Sequence, residues 1–291
     1  LSLYTRGTAA GNDSLVTEFI LLGLTQQPQL QLPFFFIFLG IRVVTMVGNM
    51  GLIILIGLNP HLHTPMYYFL FNLSFIDLCY SSVIIPRLLI GFVKENVISY
   101  AECMTQLCFF SFFVIDECCI LASMAYDRYV AICKPLLYKA IMSHQVCLML
   151  MVGTYVMGFV GAMAHTGCML RLTFCGDNFI NHYITYINEL VVFIVVGINV
   201  IVPSLTISIS YKGRSKAFST CSSHIVTVSL FFGSSAFMYF KPSPVGSLDQ
   251  DKVSTVFYTI MGPVMNTFIY SLRNKDVKIA LHKTLKKRVF S

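Results

Sequence analysis

Seven stretches of this chain are apolar over lengths close to the roughly 20 residues that a helix needs to span a bilayer. They fall at about 34–58, 66–92, 101–133, 145–165, 188–211, 216–240 and 252–272. Hydrophobic residues make up 56% of the chain and charged ones 11%, with a mean hydropathy of +0.74. A soluble domain carries about 25% charge, so this chain has too little polar surface to stay dispersed in water. The reading is an all-α membrane protein: one seven-transmembrane helix bundle with a short amphipathic C-terminal helix. Residues 1–33 form an extracellular N-terminal segment, 34–272 the bundle and 273–291 a cytoplasmic tail. In that tail Val277, Ile279, Ala280, Leu281 and Leu285 alternate with many Lys, the pattern of a helix lying on the inner leaflet.

Orientation follows from the basic residues. Lys134, Lys139, Lys212, Arg214, Lys216, Arg273, Lys275 and Lys278 fall at one set of span ends. Arg6, Arg87, Lys94 and Arg171 fall at the other, diluted by Asp13, Glu18, Glu95, Glu102 and Asp177. The N-terminus is therefore placed outside, in the plasma membrane. The formal net charge of +7 is a topology signal, since the cations are not interleaved with a groove-like aromatic pattern that would bind nucleic acid. No signal-peptide h-region with a small-residue cleavage site lies within 1–32, so the first span is expected to act as its own insertion signal. Asn12-Asp13-Ser14 is a glycosylation acceptor on the outer side. Asn72-Leu73-Ser74 matches the same pattern inside an apolar run, where no transferase reaches.

At the inner end of the third span the chain reads MAYDRYVAIC, Met124 to Cys133. Charges at the centre of a span resist transfer into lipid, whereas at its end Asp127 and Arg128 pair and reach water. A snorkelling anchor is the plain reading of such a pair. The surrounding residues argue for more. Together with LHTPMY at Leu62–Tyr67, LSFIDLC around Asp77, KAFSTCSSH from Lys216 to His224 and FIYSLRN from Phe268 to Asn274, the stretch resembles the odorant-receptor branch of the rhodopsin-like G-protein-coupled receptors. The resemblance runs from about Val16 to Thr284. It implies a small volatile odorant as ligand and a stimulatory olfactory-type heterotrimeric G protein as partner, with cyclic AMP as the output and sensory cilia as the location.

Two carboxylates, Asp77 and Glu117, fall near the middles of spans two and three. Facing each other, they share a proton or bind an ion, and Asn49 adds an oxygen from span one. A protonated network that fixes helix register is the alternative; the resemblance implies a sodium ion, and no other cofactor. Asp116 lies about 100° further round the helix and is expected to serve another face.

The resemblance also implies a mostly apolar ligand pocket in the outer half of the bundle. Its residues here are Phe110, Ser111 and Val114 on span three, Val195 and Asn199 on span five, Phe232, Ser235, Ala236 and Tyr239 on span six, and Thr259 on span seven. Read without the resemblance, each is ordinary helix packing. Activation and G-protein coupling are implied for Asp127, Arg128, Tyr129, Tyr211, Lys216, Asn266 and Tyr270.

Three departures from the family pattern stand out. Asn266 is followed by Thr267 where the family carries Pro. Cys103 matches the family cysteine that bonds to the second outer loop, yet only Cys168 and Cys175 remain as partners there; the resemblance gives Cys175 a different partner, so the pairing stays open. Finally, His182-Tyr183 runs almost directly into Tyr186, and Tyr211 into Lys216, so both connections are short. A deleted, non-functional variant is the second reading. Enzyme chemistry is set aside because no Gly-rich phosphate loop, GxSxG elbow or spaced zinc ligands occur. A proton- or ion-coupled transporter would show repeated halves, which the sequence lacks.

Overall fold

Four helices carry the described chain back and forth: α1 (Pro28–Leu58), α2 (Pro65–Val93), α3 (Tyr100–Cys133) and α5 (His144–Cys175). They belong to a computed structural model that describes residues 3–5, 18–21, 28–93, 96–175, 262–266, 268–269 and 275–289. A short helix, α4 (Tyr138–Ile141), precedes α5, and α6 (Lys275–Val289) closes the chain. At about 1.5 Å per residue the shortest of the four spans more than the roughly 30 Å hydrocarbon core of a bilayer. All four are apolar enough to cross one.

Helix ends follow local chemistry. Pro65 opens α2, where a missing N–H is one the first turn leaves unpaired anyway. Ser99 and Glu102 close a capping box on α3: Ser99 Oγ accepts from Glu102 N at 3.3 Å, and Ser99 N donates to Glu102 Oε2 at 3.4 Å. At the other end Lys134 N closes on Val130 O at 2.9 Å, and Pro135 bars a further turn. Helix α1 starts at Pro28 rather than near residue 34 and carries Pro33 inside, so one backbone donor is lost there. Helix α5 runs on to Cys175, past the end of its membrane span at Gly167, which agrees with the sequence boundary of about 165. Cys168 and Cys175, read from sequence as loop residues, therefore lie on a helix.

The main core joins Leu52, Leu55 and Ile56 of α1 to Phe69, Leu73 and Ile76 of α2, with Ile120, Leu121 and Met124 of α3 and Met151 of α5. Val277 and Ala280 of α6 complete it, while Ile279 and Leu281 on the same helix are exposed. Asn59 Nδ2, beside the joint between α1 and α2, donates to Thr284 Oγ1 of α6 at 3.4 Å. Outward, Leu32, Phe36, Val47, Met149 and Phe159 are each 60% exposed or more. Large apolar side chains on that scale have lipid as their solvent.

A small sheet caps one end. Strand β1 (Leu3–Thr5) pairs antiparallel with β2 (Glu18–Leu21), and β2 pairs antiparallel with β3 (Asn96–Ser99). Pieces of three or four residues are too short for the alternation that marks a strand in sequence. Because β3 lies between α2 and α3, the first strands of the chain sit on the same side as that connection. The spans read at 188–211 and 216–240 lie outside the described residues, as does most of 252–272.

Candidate functional site

At the far end of α3 from the sheet, Asp127 is fully buried and Arg128 folds back onto it. Arg128 Nε donates to Asp127 Oδ2 at 3.0 Å, and Nη2 pairs with the same oxygen. The other oxygen, Oδ1, accepts from Tyr138 of α4 at 2.7 Å. Both carboxylate oxygens are thus satisfied, which a buried charge requires. Burial, and next the carboxylate it faces, push the Tyr138 phenol above its ordinary range, so it remains a donor. Tyr129 is half-buried against the core and stacks near Tyr126, ring centroids 6.5 Å apart. Sequence reasoning did not find Tyr138; only the tertiary fold brings α4 back under α3.

A second polar centre lies in the middle of the bundle. Asn266 Nδ2 donates to Glu117 Oε1 at 2.6 Å and reaches Asp77 Oδ2 at 3.4 Å and Oδ1 at 3.5 Å. Asp77, Glu117 and Asn266 are all buried. Asn266, grouped from sequence with the coupling residues, therefore bridges the acid pair. Asn49 is also buried; its Nδ2 donates to Thr45 O at 3.1 Å, and its Oδ1 has no hydrogen-bond partner among the described residues. Asp77 and Glu117 are thus brought together through Asn266, while the one bond given for Asn49 is to its own helix. Asp116 points elsewhere, against Gly158 of α5.

Nearer the sheet, the residues read as a pocket face diverge. Phe110 turns toward α2, its ring 5.8 Å from that of Tyr80. Ser111 turns toward α5, its Oγ 3.2 Å from Nδ1 of His165. Val114 is half-buried against the core. Val195, Asn199, Phe232, Ser235, Ala236, Tyr239 and Thr259 lie outside the described residues, as do Tyr211, Lys216, Tyr270 and Asn12. Cys103 is half-buried and forms no disulfide among the described residues; the side chain of Cys175 is outside them.

Other cross-helix pairs escaped the sequence reading because each joins residues far apart in the chain. Tyr155 of α5 donates to Asn72 Oδ1 of α2 at 3.0 Å, which gives the buried-run asparagine a structural role. Arg87 of α2 pairs with the capping residue Glu102 at 3.5 Å.

Long apolar helices, a buried acid pair and an Asp-Arg lock at one end of the third helix fit the receptor bundle that the sequence resembles. The family profile described as "Olfactory receptor" matches residues 38–288. Human olfactory receptor 8B3 is 65% identical over 95% of this chain and 96% of its own length. Mouse olfactory receptor 8B3 is 64% identical, covering 95% of each, and human olfactory receptor 8B8 is 61% identical over 97% of this chain and 100% of its own length. The chain belongs to the olfactory receptor family. It is a multi-pass, seven-transmembrane odorant-sensing receptor that signals through a G protein, and not an enzyme. The alignment to human 8B3 extends over 303 positions, more than the chain's 291 residues, while taking in 95% of them. That relative therefore has internal residues which this chain lacks.

Proposed function

We propose that this receptor binds a small volatile molecule between the outer halves of its helices and activates a stimulatory olfactory-type G protein, raising cyclic AMP. The observation that carries this reading is the Tyr138–Asp127–Arg128 arrangement. Arg128 is held by a carboxylate that is itself held by Tyr138, which describes a closed inner end. Opening frees a guanidinium with five donors for a partner. In this reading Tyr211 and Tyr270 swing toward Arg128, Lys216 borders the cleft, and the odorant acts through its greater affinity for the open state.

The N-terminus is assigned to the outside. Supporting this, the sheet places the first strands with the α2–α3 connection, while Lys134, Lys139 and the lysines of α6 gather beyond the other helix ends. Asn12 is then an outer glycosylation site, and the plasma membrane of sensory cilia is the site of action. In the middle of the bundle Asp77 and Glu117, with Asn49 Oδ1, would hold a sodium ion. Bound there, the ion supplies the positive charge that two facing carboxylates call for, while Asn266 donates to both acids.

The test is odorant-evoked cyclic AMP in cells carrying this chain, normalised to surface staining, with Arg128→Ala alongside. A response that Arg128→Ala abolishes supports the reading; a response that survives it overturns the role of Arg128. The second reading, a silent deletion variant, is favoured by the relative's extra internal residues and by the short joints after Tyr183 and Tyr211. A chain that is silent at the surface and recovers when those joints are lengthened would establish it.

A further inference from the structure

Hydroxyl side chains on these helices mostly turn back on their own backbone. Thr45, Ser81, Ser123, Thr154 and Thr284 all donate to the carbonyl four residues earlier. Ser111 departs from this habit. Its buried Oγ instead meets Nδ1 of His165 on the neighbouring helix at 3.2 Å.

We infer that Ser111 gives its hydroxyl proton to His165, so that it offers a ligand lone pairs only and selects odorants that carry their own O–H donor. The inference rests on the reading that Ser111 lines the odorant pocket. A serine has one proton and two lone pairs, and a neutral imidazole has one N–H and one lone pair. Ser111 has forgone the backbone carbonyl below it, so its proton needs another acceptor, and among the described residues Nδ1 is the one it meets. Orphaned buried donors are rarer than under-used acceptors. The ring proton of His165 therefore belongs on Nε2, and the remaining lone pairs of Ser111 face away from the ring.

An alcohol entering the pocket donates to Ser111. An aldehyde or ketone of the same skeleton brings only an acceptor and sets lone pair against lone pair. Sites built to pair a ligand hydroxyl discriminate strongly against analogues that lack it. His165 is on this account a positioning residue: it fixes what Ser111 presents without touching the ligand.

The test uses cyclic AMP responses, normalised to surface staining, to a panel of alcohols each matched with its aldehyde or ketone. The full chain is compared with His165→Asn, His165→Phe and Ser111→Ala. The unaltered receptor should prefer alcohols by about tenfold or more in half-maximal concentration. His165→Asn keeps an acceptor and should retain the preference; His165→Phe and Ser111→Ala should bring the two classes near parity. A carbonyl preference, or an alcohol preference that survives His165→Phe, overturns the inference. A surface-expressed receptor that answers neither class counts against the pocket reading. The pair is then decided by NMR of isotope-labelled histidine in the purified receptor, with His165 assigned from His165→Asn. A ring protonated on Nε2 supports the inference, and one protonated on Nδ1 overturns it.

Discussion

Asp116 of α3 projects into the space that Gly158 of α5 leaves open. A methyl group on Gly158 would overlap the Asp116 carboxyl group, and one on Gly161 would come within 2.6 Å of Ile115 Cδ1. The two helices approach closely because α5 offers no side chain at either point. Gly158→Ala should therefore destabilise the receptor by about 1–3 kcal/mol, the usual cost of overpacking. The loss should shrink sharply in an Asp116→Ala background, because the clash is with that side chain. Thermal unfolding of the detergent-purified receptor would measure both, and equal losses in the two backgrounds would refute the contact.

Asp116 also bears on stability by itself. Both of its carboxyl oxygens are buried without hydrogen-bond partners among the described residues. Replacing such a group by an apolar one is often neutral or stabilising. Asp116→Ala alone should leave surface expression unchanged or higher, whereas Glu117→Ala, next to it but bonded to Asn266, should lower it.

The bond from Tyr138 to Asp127 is one to a charged acceptor, a type that contributes about 1.5–3 kcal/mol. Its removal in Tyr138→Phe weakens the hold on the carboxylate that restrains Arg128. Cyclic AMP without odorant should rise severalfold at matched surface density. Unchanged basal output would show that Tyr138 supports the closed and open states equally.

Asn266→Leu takes from Glu117 and Asp77 the amide that donates to both. Leaving buried acceptors unpaired costs about 1–3 kcal/mol, and more for charged groups. Surface staining should fall, and Asp77→Asn in the same chain should restore part of it by replacing one carboxylate with an amide. If the double variant is no better than Asn266→Leu, the three residues do not act as one network.

Tyr155 and Asn72 join α5 to α2 across the edge of α3. A double-mutant cycle of Tyr155→Phe and Asn72→Ala should give a coupling of about 0.5–1.5 kcal/mol, the net worth of one neutral hydrogen bond. Strict additivity would mean that the two side chains meet without holding the helices.

Much of the architecture was legible because lipid imposes a length on every apolar run. The ends of α2 and α3 fall within a residue or two of the hydropathy boundaries, since prolines and a capping box stand there. Helix α1 starts ahead of the hydropathy boundary and α5 continues past its span, His144–Gly167, because helix runs on through residues such as Gln29, Gln31 and Arg171 that an apolar count leaves out. Asp77 and Glu117 were readable as a pair by depth alone. Asn266 was not readable as their bridge, nor Tyr138 as the partner of Asp127, nor His165 as that of Ser111. Those pairings depend on which faces of separate helices meet, and a one-dimensional periodicity holds no such information.

The sheet has a bearing on biogenesis. Strand β2 lies before α1, and its partner β3 lies after α2. A ribosome delivers β2 first, and the strand has nothing on its far side to pair with until two helices have been threaded and returned. The cap closes only once both helices have crossed, so a chain in which one of the two fails to insert leaves the edge of β2 bare for quality-control machinery to find.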